Sequence, residues 1–298
     1  MEQNKFKLAY IFSGIVIFLM TIASATGLFW DGLYRDNAFV KMTWFGNDIV
    51  TLFVVVPLAF VTWIRSMCGS QRSQLIWLGT MLYAIYNYAF YLFGTAFNVL
   101  FLVYVGLLTF SILTLILGLS KINADAVSAQ FRPVTPVKAI AGFMFVFAAM
   151  MSILWISMTF DFILTGNLPE MLQKTGHPTQ LVFALDLGLL VPGLLLSAVL
   201  LWKRHAWGYI AAAIVLIKAN TYGMVMISMH TYAVLTTGTG DSLIGLWAAL
   251  TTASLISSGF LLGNLQPTHA DAPLPSSTSK IVIPEFHVTK SMKGKLPS

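Results

Sequence analysis

Long apolar runs separated by short polar segments dominate the hydrophobic pattern of this chain. Eight runs reach the roughly 20 residues that a helix needs to cross the hydrocarbon core of a bilayer. They cover residues 9–29, 46–64, 75–95, 98–118, 137–160, 180–202, 207–229 and 244–264. No run alternates like a strand of an outer-membrane barrel. The pattern therefore predicts an all-α membrane protein, a bundle of eight transmembrane helices that forms one domain over residues 1–264.

The polar segments add three local expectations. Residues 30–45 are expected to form a loop before span two, and Asp48 is expected to cap that span, because a helix dipole favours a carboxylate near its N-terminus. A short interfacial helix is expected at Pro169–Lys174 within the polar stretch 164–179. Residues 265–298 are rich in Pro, Ser, Thr and Lys, and this composition predicts a disordered basic tail.

Composition and charge agree with a membrane location and indicate an orientation. The chain is 57% hydrophobic and 9% charged, whereas a soluble domain carries about 25% charged residues. Of its 17 Lys and Arg residues, 13 lie on the side of the two termini, three on the opposite side and one inside span seven. The positive-inside rule then predicts cytoplasmic termini. The net charge of +6 therefore needs no nucleic acid as a partner, and the expected partner is the lipid bilayer.

The first span allows a second interpretation. Ala23-Ser24-Ala25 follows an apolar run that begins after two lysines, as a signal-peptidase site would. Cleavage there would leave seven spans. The run continues through Leu28, Phe29 and Trp30, which favours a retained span.

Two mid-span prolines indicate an internal repeat. Pro57 and Pro192 lie 135 residues apart, and the same offset pairs Tyr83 with Lys218. Four helices per unit would give two parallel repeats, 9–118 and 137–264, related by an axis along the membrane normal. The alternative is chance alignment, because apolar helices align easily.

Lys218 is the most informative polar position, because it lies near the middle of span seven. A charged group at that depth costs about 3 kcal/mol on insertion scales and usually marks a function or a buried partner. Asp186 on span six is the expected acceptor, with tyrosine hydroxyls as the alternative. Tyr222 lies one turn further along the same helix face.

A stripe of polar aromatic residues on span three points to the same region. Tyr83, Tyr86 and Asn87 share one helix face by their i, i+3, i+4 spacing. Their donors need partners and should face the bundle interior. Either these groups form hydrogen bonds that only hold the helices together, or they bind a substrate between spans three, six and seven. The candidate binding residues are Lys218, Asp186, Tyr83, Tyr86, Asn87 and Tyr222.

The sequence lacks the motifs of metal-dependent, thiol-dependent and nucleotide-binding proteins. The sequence has no HExxH motif, no cysteine cluster and no phosphate-binding glycine loop. The five histidines are expected in loops, at helix ends or in the tail, so no metal or other cofactor is expected. Gly259 and Gly263 form a GxxxG motif, which predicts close helix packing within the chain or between chains of a homo-oligomer.

Two stretches carry a resemblance to known sequences. WFGNDIVTLFVVVPLAF at residues 44–60 and WLGTMLYAIYNYAFYLFGTAFNVLFLVYV at residues 77–105 resemble a group of uncharacterised bacterial multi-pass membrane proteins of about eight spans. The similarity is best over residues 27–118. It implies a bacterial origin and a cytoplasmic-membrane location, and it transfers no catalytic residue.

Three functions follow as hypotheses. A small-molecule or ion transporter fits the repeats, the mid-span prolines and the polar faces, and it predicts a polar cavity that reaches the membrane midplane. An integral membrane enzyme acting on a lipid or isoprenoid would use acid–base groups near one interface, with Asp31, Asp48, Asp161 and His230 as candidates. A sensor or assembly partner without chemistry predicts a tightly packed bundle without a cavity. The transporter is the preferred interpretation, and whether the protein is an enzyme is left open.

Overall fold

The structure is a computed structural model that describes residues 6–267, and the regular elements within that range are all helices. The eight spans are α1 (Lys7–Phe29), a composite span two, α4 (Gln71–Gly94), α5 (Phe101–Lys121), α7 (Val137–Thr165), a composite span six, α11 (Ala206–Thr237) and α12 (Ile244–Gly263). Two short helices, α6 (Ala124–Ser128) and α8 (Glu170–Thr175), lie in connecting segments. The prediction of an all-α membrane bundle with eight spans is thus confirmed. The expected disordered tail lies almost wholly outside the described residues.

The bundle has two ends, which are named here by the chain termini. The proximal end holds residues 6 and 267 and the connections after spans two, four and six. The distal end holds the loops 30–37, 95–100, 166–180 and 238–243. At the proximal end, the backbone N–H of Arg132 donates to the carbonyl of Asn264, and Arg72 donates to the carbonyl of Leu265. These bonds tie the end of α12 to the start of α4 and to the segment that follows α6.

Span two begins earlier than its hydropathy predicted. It starts with α2 (Ala38–Val50), and Asn37 caps that helix by accepting a hydrogen bond from the backbone N–H of Val40 at 2.9 Å. The predicted loop is therefore wrong over residues 38–45. The polar residues in this stretch lowered its hydropathy, but Val40 and Trp44 are buried on one face and hold it as a helix. The predicted short helix near Pro169 is confirmed as α8, which Pro169 precedes.

Both composite spans contain one turn of π-helix ahead of a proline. In span two, π1 (Thr51–Val55) leads into α3 (Val56–Met67), and Pro57 is the second residue of that helix. In span six, α9 (Leu181–Leu185) is followed by π2 (Asp186–Leu190) and then α10 (Val191–Trp202), which carries Pro192 at its second position. A proline inside a helix removes one backbone hydrogen bond and clashes with the preceding turn. The wider π turn accommodates both effects and lets the span continue.

Helices α4 and α11 form the centre of the bundle. In the most apolar 18 residues of each span, 72% are buried for α4 and 67% for α11, compared with 28–39% for the other six. The two helices cross closely at Gly79, where an added Cβ would lie 2.5 Å from the Cβ of Ile217. A glycine at this crossing lets two backbones approach, as small residues do between transmembrane helices. The central pair places the polar faces of spans three and seven against each other.

The GxxxG motif of α12 has no such neighbour within the chain. Within residues 6–267, no atom beyond the helix itself lies within 4 Å of where a Cβ would stand at Gly259 or Gly263. Close packing of this motif inside the chain is therefore not observed. Packing between chains stays a prediction.

Candidate ligand-binding site

Lys218 lies on the central helix α11 and is 3% exposed. Its ammonium group stands 3.4 Å from the ring centroid of Tyr86 on α4 and 4.9 Å from that of Tyr222 one turn further along α11. The negative face of an aromatic ring attracts a cation, by about 2 kcal/mol or more where both are desolvated. The two tyrosine rings themselves meet edge to face, with centroids 4.6 Å apart. Two tyrosines thus hold the only charge in the middle of span seven.

Asp186 opens the π turn of span six and is 6% exposed. One carboxylate oxygen accepts a hydrogen bond from the Tyr86 hydroxyl at 2.7 Å, and the other accepts one from the Trp155 indole N–H at 2.9 Å. Both donors are neutral, and hydrogen bonds to an ionised acceptor are stronger than bonds between neutral groups. The carboxylate is therefore satisfied without the lysine.

The sequence predicted Asp186 or tyrosine hydroxyls as the acceptor for Lys218. Among the described residues no tyrosine hydroxyl accepts a hydrogen bond from Lys218, whose tyrosine contacts are ring faces, and there is no direct contact between Lys218 and Asp186. No ion pair within 4.0 Å joins them. Tyr86 stands between the two charges, with its ring face against the ammonium and its hydroxyl on the carboxylate. The physical reason is that one phenol offers both a cation-binding face and a strong hydrogen-bond donor, so it can contact both charges at once.

Tyr83 and Asn87 belong to a neighbouring network. The Tyr83 hydroxyl lies 2.7 Å from the hydroxyl of Thr51, and Asn47 donates to the side-chain oxygen of Asn87 at 2.7 Å. Both residues are fully buried, which confirms that the span-three stripe faces the interior. Neither lines the cavity described below, although the Tyr83 ring lies 6.5 Å from that of Tyr222. The structure therefore brings four of the six candidate residues together and places the other two behind them.

Asp48 is a second buried carboxylate, and its predicted capping role is wrong. It lies in the last turns of α2 rather than at a helix N-terminus, because that helix begins ten residues earlier. It accepts hydrogen bonds from Tyr34 at 2.5 Å and from Tyr91 at 2.8 Å. Burial and then the adjacent Asp48 carboxylate raise the pKa of Tyr34 well above its usual range, so this loop residue stays a neutral donor.

A cavity of about 1050 Å³ extends from the distal end of the bundle to the Lys218 site. Its deep end presents Lys218, Asp186 and Tyr222. Its walls are mostly apolar and come from α2, α7, α9, α11 and α12, with methionine and aromatic side chains prominent. Towards the distal end it is lined by charged and polar groups, which include Asp161, Glu170, Lys174, His177, Gln180, His230 and Asp241. A space of this volume is at the upper end of the range typical for small-molecule sites.

One contributor to this site was missed at the sequence level, and a second was named as a candidate but placed outside its span. Trp155 on α7 donates to Asp186, but an apolar span gives no signal that separates such a tryptophan from an ordinary core residue. His230 was expected just beyond span seven and instead lies within α11, where it faces the cavity. Its Nδ1 accepts a hydrogen bond from the backbone N–H of Asp241 at 2.9 Å. At 3.6 residues per turn His230 stands about 120° around the helix from Lys218, so helical spacing from Lys218 gave no signal for it.

The donor set offers an ammonium, an indole and phenols rather than a metal shell. Within residues 6–267, no three His, Cys, Asp or Glu side chains group together as metal ligands would. The site is therefore described by its charges and hydrogen bonds alone.

Comparison with known proteins gives no relative from which a function could be transferred. No family model matches the chain. Neither a curated protein nor a solved structure matches it. By its own geometry the chain is a multi-pass membrane protein with a buried charged site at the end of a deep cavity.

Proposed function

We propose that the protein is a transporter or permease for small molecules, with its binding site between spans three, six and seven. The observation that carries this proposal is the cavity that reaches from the distal end to Lys218 in the middle of span seven. A charged residue at that depth is costly unless it lines a pathway or has a partner. The cavity also counts against a tightly packed bundle, which a purely structural role would favour.

The element boundaries support two parallel repeats as part of this proposal. The π turns begin at Thr51 and Asp186, and the helices after them span residues 56–67 and 191–202, all 135 residues apart. The central helices α4 and α11 begin at residues 71 and 206, with the same offset. Helices α1 and α7 begin 130 residues apart, at residues 7 and 137. Four spans in each repeat, 9–118 and 137–264, would then build one site at their interface, as in transporters with parallel repeats.

The two repeats differ in how tightly their first and last spans pack, and this difference supports a conformational change in the second repeat. Helices α1 and α5 pack extensively against each other, whereas their counterparts α7 and α12 make few contacts. The cavity lies beside the contact between α7 and α12, where the Trp155 and Trp247 rings stack with centroids 6.3 Å apart, and Met151 also lines it. If the second half adopted the packing of the first, α7 and α12 would approach and close the distal opening. Such a closure would occlude the site from the distal side, which is one of the steps that alternating access requires.

The charge distribution supports an orientation. The 13 basic residues on the side of the termini against three on the other favour a proximal end that faces the cytoplasm. A bacterial cytoplasmic-membrane location is proposed together with this orientation.

A labelling experiment that needs no known substrate tests the proposal. Ala219 lines the deep end of the cavity next to Lys218, so a single cysteine is placed there as Ala219→Cys in a Cys68→Ser background. A membrane-impermeant thiol reagent is then applied to right-side-out and to inverted vesicles. A transporter predicts labelling from both sides, with the slower side reporting the less populated conformation.

Three control positions make the result interpretable. Glu170→Cys should be labelled only from outside and Arg204→Cys only from inside, and the reverse pattern would refute the orientation. Ala213→Cys lies on the same helix, is fully buried and does not line the cavity, so it should stay unlabelled. Labelling of Ala219→Cys from the distal side alone, whatever ion gradient is applied, would refute transport.

The second candidate is a membrane enzyme that acts on a lipid or isoprenoid. It is favoured by one observation, that Asp161 and His230 line the same cavity. His230 uses Nδ1 to accept a backbone hydrogen bond, which leaves Nε2 for a substrate. The labelling experiment separates the two functions, because an enzyme of this kind needs access from only one side.

A further inference from the structure

We infer that the deep end of the cavity binds the anionic group of an amphipathic organic anion, with Lys218 as the residue that pairs with that group. This inference rests on the proposed function, because it names the chemical class of the solute. The ligand class is a single carboxylate or phosphate carried on an apolar body.

The ammonium of Lys218 has donors without acceptors. A lysine ammonium has three donors, and within residues 6–267 none of them meets an acceptor at hydrogen-bonding distance. The side chain is only 3% exposed, and it lines the cavity. Its contacts are the ring faces of Tyr86 and Tyr222, which attract a cation but accept hydrogen bonds poorly. A buried ammonium in this condition lacks acceptors on the side that faces the cavity.

Asp186 does not supply the missing acceptor for the Lys218 ammonium. Its two oxygens accept from Tyr86 and Trp155, and neither lies within 4.0 Å of the ammonium. Two neutral donors therefore stabilise the carboxylate in place. An incoming anion can approach Lys218 from the cavity without displacing an existing ion pair.

The cavity walls indicate the chemical character of the rest of the ligand. The walls between the deep end and the distal opening are mostly apolar, and they include Met151, Met226 and Trp247. Methionine and aromatic side chains adapt to apolar ligands of irregular shape. Gln180, which lines the same cavity, has a buried side-chain nitrogen without a partner among the described residues. The deep end thus presents the Lys218 ammonium next to apolar walls, a combination that fits an anion with an apolar body.

The test compares three probes that share one body and differ in charge. These are 4-phenylbutyrate, its neutral amide 4-phenylbutyramide, and the cation 4-phenylbutylamine. Binding to the full-length protein in nanodiscs of phosphatidylcholine is followed by calorimetry. The expected result is that the anion binds at least about tenfold more tightly than the amide, as a hydrogen bond to a charged group would give, and that the amine binds most weakly.

Substitutions at Lys218 test whether this residue causes the preference for the anion. Lys218→Met should weaken 4-phenylbutyrate binding about tenfold or more. Lys218→Met combined with Asp186→Asn removes both charges, leaves no uncompensated carboxylate, and should show the same loss. The matched control is Lys174→Met, because Lys174 lines the same cavity but is exposed and paired with Glu170 at 2.6 Å; its effect should stay within about twofold. Equal affinity for the three probes, no binding of the anion, or unchanged affinity in the Lys218 variants would overturn the inference.

A further arm identifies the source of the natural anion. The measurement is repeated in nanodiscs that contain phosphatidic acid or phosphatidylglycerol. Weaker 4-phenylbutyrate binding there would support a membrane lipid as the ligand, and unchanged binding would support an anion that arrives from water. The binding test is independent of transport. Selective anion binding with one-sided labelling at position 219 would refute the transporter and keep this site, whereas two-sided labelling without anion binding would do the opposite.

Discussion

The bridge formed by Tyr86 makes a quantitative prediction about stability. Tyr86→Phe removes only the hydroxyl that donates to Asp186 at 2.7 Å, and it keeps the ring face that holds Lys218. Both partners of the lost bond are at least 94% buried, so water does not easily replace the donor. Hydrogen bonds to charged groups contribute about 1.5–3 kcal/mol. We therefore expect Tyr86→Phe to lower the free energy of unfolding by about 2 kcal/mol.

The assay is reversible unfolding in mixed micelles, in which a denaturing detergent is titrated and helicity is followed by circular dichroism. Tyr232→Phe is the matched control, because its ring stacks on Phe45 with centroids 5.0 Å apart and its hydroxyl bonds to no described residue. That change should cost less than about 0.5 kcal/mol, as surface substitutions usually do.

A double-mutant cycle assigns the loss to the carboxylate. With Asn at position 186, the Tyr86 hydroxyl can donate only to a neutral amide oxygen, a bond that contributes about 1 kcal/mol. Tyr86→Phe should then cost about half as much in the Asp186→Asn background as in the natural one, which is a coupling of about 1 kcal/mol. If Tyr86→Phe is as mild as the Tyr232 control, or if the two changes are additive, the bridge does not hold the charged site together.

Two further changes test the packing and the distal surface. Gly79→Ala should destabilise the bundle by about 1–3 kcal/mol in the same unfolding assay, because its Cβ would overlap Ile217, whereas Gly142→Ala, with nothing within 4 Å, should cause no loss; equal effects would refute the close crossing of α4 and α11. On α8, the Lys174 ammonium lowers the pKa of Glu170 from its ordinary 4.5, so this pair stabilises the helix above that pH and loses the contribution as the pH falls through the lowered pKa. Carbon-13 NMR of the Glu170 carboxyl should show its pKa rise towards 4.5 in Lys174→Met, and an unchanged midpoint would contradict the pairing.

Much of the candidate site could be predicted from local sequence, and its details could not. The burial of Tyr83, Tyr86 and Asn87 followed from helical spacing and the cost of unpaired polar groups in lipid. Their division between two networks did not follow, because it depends on how far α4 is rotated against α2 and α11. The start of span two was misplaced for a related reason. Hydropathy averages over all faces of a helix, so it could not detect that one face at Val40 and Trp44 is buried.

The sequence by itself determined the number of spans, the depth of Lys218 and the matched prolines of spans two and six. These features follow from the length and polarity of single helices, in which every residue's position along the membrane is set by its own segment. The tertiary structure alone decided that Tyr86 stands between Lys218 and Asp186, that Trp155 completes the carboxylate site, and that a cavity opens beside the contact between α7 and α12. Those contacts join residues as much as 132 positions apart, and they depend on helix rotation and crossing. Packing of the whole bundle fixes both, and no local pattern of apolar and polar residues encodes them.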